Sequence, residues 1–276
     1  MLKTLLVGLD GSEHSEAALE LAIRWAKRFD ALLVGMGCVD EPGLHGPEEI
    51  LVGEAYFAPL NSSLLLELKQ RVEGTLSRAA LRCAQAGVAF KPLEEVGTPY
   101  VQILLEAQRF DLIMLGRLTH FQFGWEKEAD VTLSRVLAEC PRPVVVVPQN
   151  PGDGESVAVA YDGSLQAARV LSSFEASGLG QGREIQVISV SKDKKDAARR
   201  ADRAVEFLKS HGLNAFAHPV DSARQPPEVL LEMIKLSKPG LVVMGAYGQP
   251  VLREFFLGST TRTFLENCPA PLFLYH

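Results

Sequence analysis

The residues best suited to chemistry in this chain are Met244-Gly245-Ala246-Tyr247-Gly248 and, after a gap spanning 249–257, Gly258-Ser259-Thr260-Thr261. Glycine lets the backbone N–H groups approach an anion closely, and a helix start behind them adds the positive end of its dipole. Between an apolar strand and a helix, such a segment predicts a phosphate cradle and hence a nucleotide ligand. Two glycines three apart would equally serve turns and close helix packing. The longer Gly-x2-Gly-x9-Gly-Ser spacing favours the cradle. Within the gap, Arg253 is either in reach of a terminal phosphate or a solvated loop arginine, and Tyr247 either stacks or covers the loop.

The elements that must position this segment occur twice. Val7-Gly8-Leu9-Asp10-Gly11-Ser12 is answered by Val159-Ala160-Tyr161-Asp162-Gly163-Ser164, Asp111-Leu112-Ile113-Met114-Leu115-Gly116 by Leu241-Val242-Val243-Met244-Gly245, and Cys140-Pro141-Arg142-Pro143 by Cys268-Pro269-Ala270-Pro271. From Asp to Cys the first copy is 24 residues longer (140 less 10 against 268 less 162), and the surplus is placed at Asp40 to Asn61. Pro42, Gly43, Gly46, Pro47, Gly53 and Pro59 give that insertion loop chemistry, with Glu54-Ala55-Tyr56-Phe57 as an apolar tip. It is read as a surface loop packing on its neighbour or as a lid. Pro148-Gln149-Asn150-Pro151-Gly152-Asp153-Gly154 is the linker, so domains are assigned to residues 1–150 and 154–276.

Apolar runs alternate with helical periodicity in each copy. In the first, strands are expected at Thr4 to Leu9, Leu32 to Val39, Val88 to Glu95, Asp111 to Leu115 and Pro143 to Val147. Helices are expected at Ser12 to Arg28, Leu64 to Ala86, Pro99 to Gln108 and Asp130 to Glu139. Continuous Val, Leu and Ile runs are those of a parallel sheet buried on both faces. The expected fold is α/β, two tandem doubly wound domains with five-stranded, mostly parallel sheets. Ligands of such sheets bind at the carboxyl ends of the strands, where strand order reverses, and Asp10, Asp162 and the glycine motif all fall there.

Length and composition set the outer bounds. At 276 residues the chain suits about two domains. A hydrophobic content of 47% with 22% charge is globular, and a net charge of −6 opposes a general nucleic-acid or anionic-membrane role. No apolar run approaches the roughly 20 residues of a membrane helix. The start reaches Gly8 and Asp10 too soon for a signal peptide, so the cytoplasm is the expected compartment. Cys38, Cys83, Cys140 and Cys268 form no C-x-x-C pair and read as buried thiols. His211 and His218 lack partners at ligand spacing and read as surface histidines; no metal site is expected.

With its strand-one Asp-Gly-Ser, its Gly-x2-Gly-x9-Gly-Ser/Thr motif and its closing Cys-Pro-x-Pro strand, the chain resembles the universal stress proteins in a tandem two-domain form, over essentially its whole length. The resemblance implies an adenine nucleotide alpha hydrolase-like fold. It also implies ATP binding where the glycine motif is present, with adenine against the ends of strands one and two. Carried onto the second half, it puts Ala160, Tyr161, Asp162 and Val190 around base and ribose and Met244 and Gly245 at the ribose. Gly248, Gln249, Gly258, Ser259, Thr260 and Thr261 would lie at the phosphates. Asp162 is equally suited to cap its own turn. Any Mg²⁺ would arrive bound to the nucleotide. Family dimers form around the last strand, which implies an intramolecular pseudo-dimer through Val144 to Val147 and Leu272 to Tyr275, with homodimerisation open.

The first half departs from the pattern. After Gly116 it reads Arg117-Leu118-Thr119, and Ala129-Asp130 stands where Gly258-Ser259 stands in the second copy. A carboxylate there repels phosphate, although Arg117, His120, Lys127 and Arg135 supply cations and Asp10 survives. Leu9, Asp10, Val39, Gly116 and Arg117 are the residues of that weaker site. Turnover needs a positioned water, charge stabilisation and a base or metal ligand. The loop lacks a P-loop Gly-Lys-Ser/Thr, and Glu254, its one acid, reads as solvated. The expected function is an ATP-binding stress-response or regulatory protein without efficient turnover. A slow ATP hydrolase or phosphotransferase is the alternative, and a flavin-binding electron-transfer module fits the glycine spacing less well.

Overall fold

The computed structural model describes residues 1–40, 54–121, 131–246 and 258–276, with the side chains of 63 onward in the second of these segments. Two compact units emerge: Lys3–Val136, and Leu137–His276 together with Met1–Leu2.

The first unit holds strands β1 (Thr4–Gly8), β2 (Leu32–Val39), β3 (Phe90–Val96) and β4 (Leu112–Gly116) and helices α1 (Glu13–Phe29), α2 (Glu54–Ala86) and α3 (Pro99–Ala107). Its parallel sheet runs β3-β2-β1-β4, so strand order reverses beside β1. The apolar face of α1 expected from its spacing is buried: Ala17, Ala18, Leu21, Ala22 and Trp25 all pack inward. Ser12 begins the helix by accepting the Ser15 N–H at its Oγ, and Asp30, in the left-handed region at φ 49°, ends it.

Helix α4 (Thr132–Glu139) spans the boundary and leads to β5 (Val144–Val147). The second unit continues with β6 (Val157–Ala160), α5 (Leu165–Ser177), β7 (Glu184–Ser191), α6 (Lys194–Ser210), β8 (Asn214–Asp221), α7 (Pro226–Ser237), β9 (Leu241–Gly245), α8 (Ser259–Asn267) and β10 (Leu272–Tyr275). Its sheet runs β5-β10-β9-β6-β7-β8. Strands β6 to β10 are parallel and reverse order beside β6, while β5 joins antiparallel, with Val144, Val145 and Val146 opposite Leu274, Phe273 and Leu272. That pairing covers an apolar edge that would otherwise invite aggregation. The edge strands β3 and β8 each carry a proline, Pro92 and Pro219, a residue sheets tolerate at their edges.

One expectation is corrected. Glu54 to Asn61, assigned by sequence to the insertion's loop, belongs to α2, which begins at Glu54 instead of Leu64. Pro59 lies close to the helix start, where its missing N–H removes a single backbone bond, and the Leu-rich stretch behind it propagates the helix. Residues 41–53 of the insertion lie outside the described residues. All four cysteines are buried and none is in a disulfide; burial pushes the Cys38 thiol up to about 12 and those of Cys83 and Cys140 to about 11.

Candidate functional site

Both repeats build the same turn after their first strand. Asp10 and Asp162 each accept at Oδ1 from the N–H two residues on, Ser12 and Ser164, at 2.9 Å. Gly11 and Gly163 adopt φ of 79° and 80°, a region that favours glycine. Ser12 and Ser164 then cap α1 and α5 through their Oγ atoms. The turn-capping role open to Asp162 is therefore real, and it uses one carboxylate oxygen.

The second oxygen distinguishes the two. Asp10 Oδ2 accepts from the amides of His120 at 2.8 Å and Phe121 at 3.4 Å, in the loop that leaves β4. That loop turns sharply, with the Thr119 N–H donating to the Gly116 carbonyl, and Phe121 takes φ 57° while remaining only 1% exposed. Its ring lies against Gly8: a Cβ added at Gly8 would stand 2.9 Å from Phe121 Cζ and 2.6 Å from Leu115 Cδ2. Asp162, by contrast, is exposed, and its own turn is its hydrogen-bond partner among the described residues.

The neighbouring positions repeat this difference. Gly8, Leu9, Val39 and Gly116 are buried, whereas their register equivalents Ala160, Tyr161, Ser191 and Gly245 are all partly exposed. By strand register Val39 corresponds to Ser191, and Val190, the expected base contact, corresponds to Cys38 and is also partly exposed. At the second repeat's strand reversal, Ala160 lies between Ile188 and Met244, and the Tyr161 N–H donates to the Ile188 carbonyl. Burial and the adjacent Asp162 raise the Tyr161 phenol above its ordinary value, and Arg203 of α6 opposes them. Arg203 escaped sequence reading because it lies on a different helix.

The first glycine of each motif has a packing duty. A Cβ at Gly116 would stand 2.4 Å from the backbone carbon and oxygen of His14, and one at Gly245 would stand 3.1 Å from Ala167 N and Gln166 C. Gly258 differs: nothing lies within 4 Å of an added Cβ, and its φ is −52°. It opens α8 with no side-chain cap. The first intrahelical bond runs from Arg262 N–H to the Gly258 carbonyl, leaving the amides of Ser259, Thr260 and Thr261 without a helix acceptor. Because α8 connects two parallel strands, this helix start lies at their carboxyl edge, on the side of Asp162 and Gly245. Ser259 is exposed and Thr260 partly so, but Thr261 is buried, so its hydroxyl points away from solvent. Gly248, Gln249 and Arg253 lie outside the described residues, as do Lys127, Ala129 and Asp130.

Among the described residues, the first repeat's cations lie in two places. Arg117 and His120 lie close enough to His14 to act on its charge, whereas the Arg135 guanidinium sits over the Tyr100 ring at 5.6 Å. His14 Nδ1 and Thr119 Oγ1 are buried without a hydrogen-bond partner. Burial, then Arg117, lower the His14 pKa, with Asp10 opposing. Among the described residues no group of three or more His, Cys, Asp or Glu is arranged to hold a metal, and no helix is long and apolar enough to cross a membrane.

Comparison with known proteins places this arrangement. A universal stress protein of Synechocystis sp. is 22% identical over 99% of this chain and 100% of its own length. The crystal structure of a universal stress protein from Archaeoglobus fulgidus DSM 4304 superposes with a TM-score of 0.72 at 20% identity, covering 98% of this chain and 97% of that one. A functionally unknown protein from Pseudomonas aeruginosa gives 0.57 at 15%, over 99% and 92% of the two chains. These structures share the fold. The sequence model of the universal stress protein family matches twice, over residues 1–148 and 155–276, in step with the duplicated Asp-Gly-Ser turns and strand reversals, and the chain belongs to that family.

Proposed function

We propose that this protein is an ATP-binding stress-response or regulatory protein whose second repeat holds the nucleotide without turning it over efficiently. The observation that carries this reading is what the carboxyl edge of the second repeat brings together among the described residues. There an exposed Asp162, bonded among the described residues only within its own turn, a partly exposed Ala160-Tyr161 strand end and the start of α8 at Gly258, which has no side-chain cap, share one side of the sheet. These residues fit an adenine nucleotide: Asp162 is a hydroxyl acceptor, Tyr161 and Val190 offer apolar surface for a base, and the amides of Ser259 and Thr260 suit phosphate oxygens. Gly248, Gln249 and Arg253 complete the phosphate contacts in this reading, and Mg²⁺ accompanies the nucleotide. ATP acts as a ligand that stabilises the form it binds, by mass action. The antiparallel β5–β10 ladder supports closure of the repeats' last strands on each other within one chain.

Isothermal titration of the whole chain with ATP and ADP, beside the Gly258→Asp variant and with released phosphate assayed on the same samples, tests this. One equivalent of ATP bound by the parent chain, lost in the variant and released without appreciable phosphate, is the expected result. No heat of binding would remove the nucleotide reading, and steady phosphate release would replace it with a slow hydrolase.

A further inference from the structure

We propose that the first repeat fills its own ligand position: the segment Gly116–Phe121 is an internal strap, with Phe121 as the occupant and Asp10 as the clamp that holds it. The inference rests on the second-repeat reading for what the position would otherwise hold, and on the first repeat's own geometry for what fills it. Asp10 is the counterpart of Asp162, which is exposed and among the described residues bonds only within its own turn; the second oxygen of Asp10 is committed to the His120 and Phe121 amides. A carboxylate receiving two backbone N–H groups in a part-buried setting is poorly placed to exchange them for a ribose hydroxyl. Phe121 then lays its ring on Gly8, the end of strand one, where a larger residue would collide with it. The left-handed φ of 57° is rare for a bulky side chain and persists only where surrounding contacts hold it. These contacts are the Asp10 clamp on its amide and the burial of its ring. Burial of Gly8, Leu9, Val39 and Gly116, against exposure of their second-repeat equivalents, is the result.

Asp10 is thus a positioning residue for a loop, and the repeat that lost the glycine motif has converted a ligand edge into a sealed one. Backbone amide exchange followed by NMR on the full-length chain tests this without nucleotide. The His120 and Phe121 amides are expected to exchange at least about 100-fold more slowly than unstructured amides, and Asp10→Asn to speed them at least about tenfold, because an amide side chain turns a donor toward them. Phe121→Ala is expected to do the same, while Phe121→Leu, which keeps apolar fill, retains slow exchange. The strap is overturned if the parent chain's two amides exchange at unstructured rates, or if the variants leave them slow. Adding ATP to the Gly258→Asp chain is a separate arm: protection of His120 and Phe121 that appears only with ATP would show a ligand entering the first repeat and would also overturn the proposal. Failure of the parent chain to bind ATP would instead remove the second-repeat reading, with the ligand-free exchange rates still deciding the strap.

Discussion

The two repeats build one turn after the first strand and, among the described residues, differ in what the second oxygen of its aspartate holds. Up to Ser12 and Ser164 they are nearly superposable in bonding: same aspartate, same 2.9 Å turn, same left-handed glycine, same serine cap. Beyond that, Asp10 Oδ2 is taken by the His120 and Phe121 amides, whereas among the described residues Asp162 bonds only within its own turn. A duplicated fold keeps its hydrogen-bonded turn in both copies because the helix start depends on it. The remaining acceptor capacity of the same residue is free to change partner.

The largest effect is expected from Gly258→Asp: the site has open space and an ordinary φ, so the chain folds, but a carboxylate at the start of α8 repels phosphate, and ATP affinity should fall at least about 100-fold in titration. Phe121→Ala removes a fully buried ring and should destabilise the first unit by about 3–5 kcal/mol, read by chemical denaturation. Gly116→Ala should cost more than Gly245→Ala, by about 1–3 kcal/mol, because its Cβ would meet His14 backbone at 2.4 Å whereas Gly245 has contacts at 3.1 Å. Equal costs would mean that the helix start gives way freely. Asp162→Ala should weaken ATP by about tenfold, a typical loss for one charge-assisted hydrogen bond, and unchanged affinity would leave Asp162 as a turn former.

The smallest effect is on pH dependence. Folding lowers the His14 pKa from 6.5, so the unfolded chain takes up the proton first as pH falls. The first unit should therefore lose stability below about pH 6.5, down through the lower folded value, and His14→Gln should flatten that slope in denaturation curves at several pH values.

Much of this was legible in the chain. The Val-Gly-Leu-Asp-Gly-Ser and Val-Ala-Tyr-Asp-Gly-Ser pair announced a duplication, and unbroken Val and Leu runs announced parallel strands buried on both faces. The α1 face from Ala17 to Trp25 followed from period alone. Less legible was α2, whose first turns are marked in sequence by Pro59 and by glycines and prolines just upstream, signals of a loop that the helix overrides. Which residues of the two second strands correspond, Val39 to Ser191 and Cys38 to Val190, is likewise hidden from sequence, because strand register is a tertiary property and adjacent residues on a strand look alike to a pattern.

Sequence by itself determined the duplicated α/β architecture, the location of the candidate site at the strand ends and the loss of the glycine motif from the first repeat, since each depends on residues near one another in the chain. Tertiary structure alone decided what the second oxygen of Asp10 holds and what covers Gly8. Asp10 meets His120 and Phe121 across more than a hundred residues, and whether a carboxylate oxygen faces a backbone amide or solvent is settled by how the loop folds back.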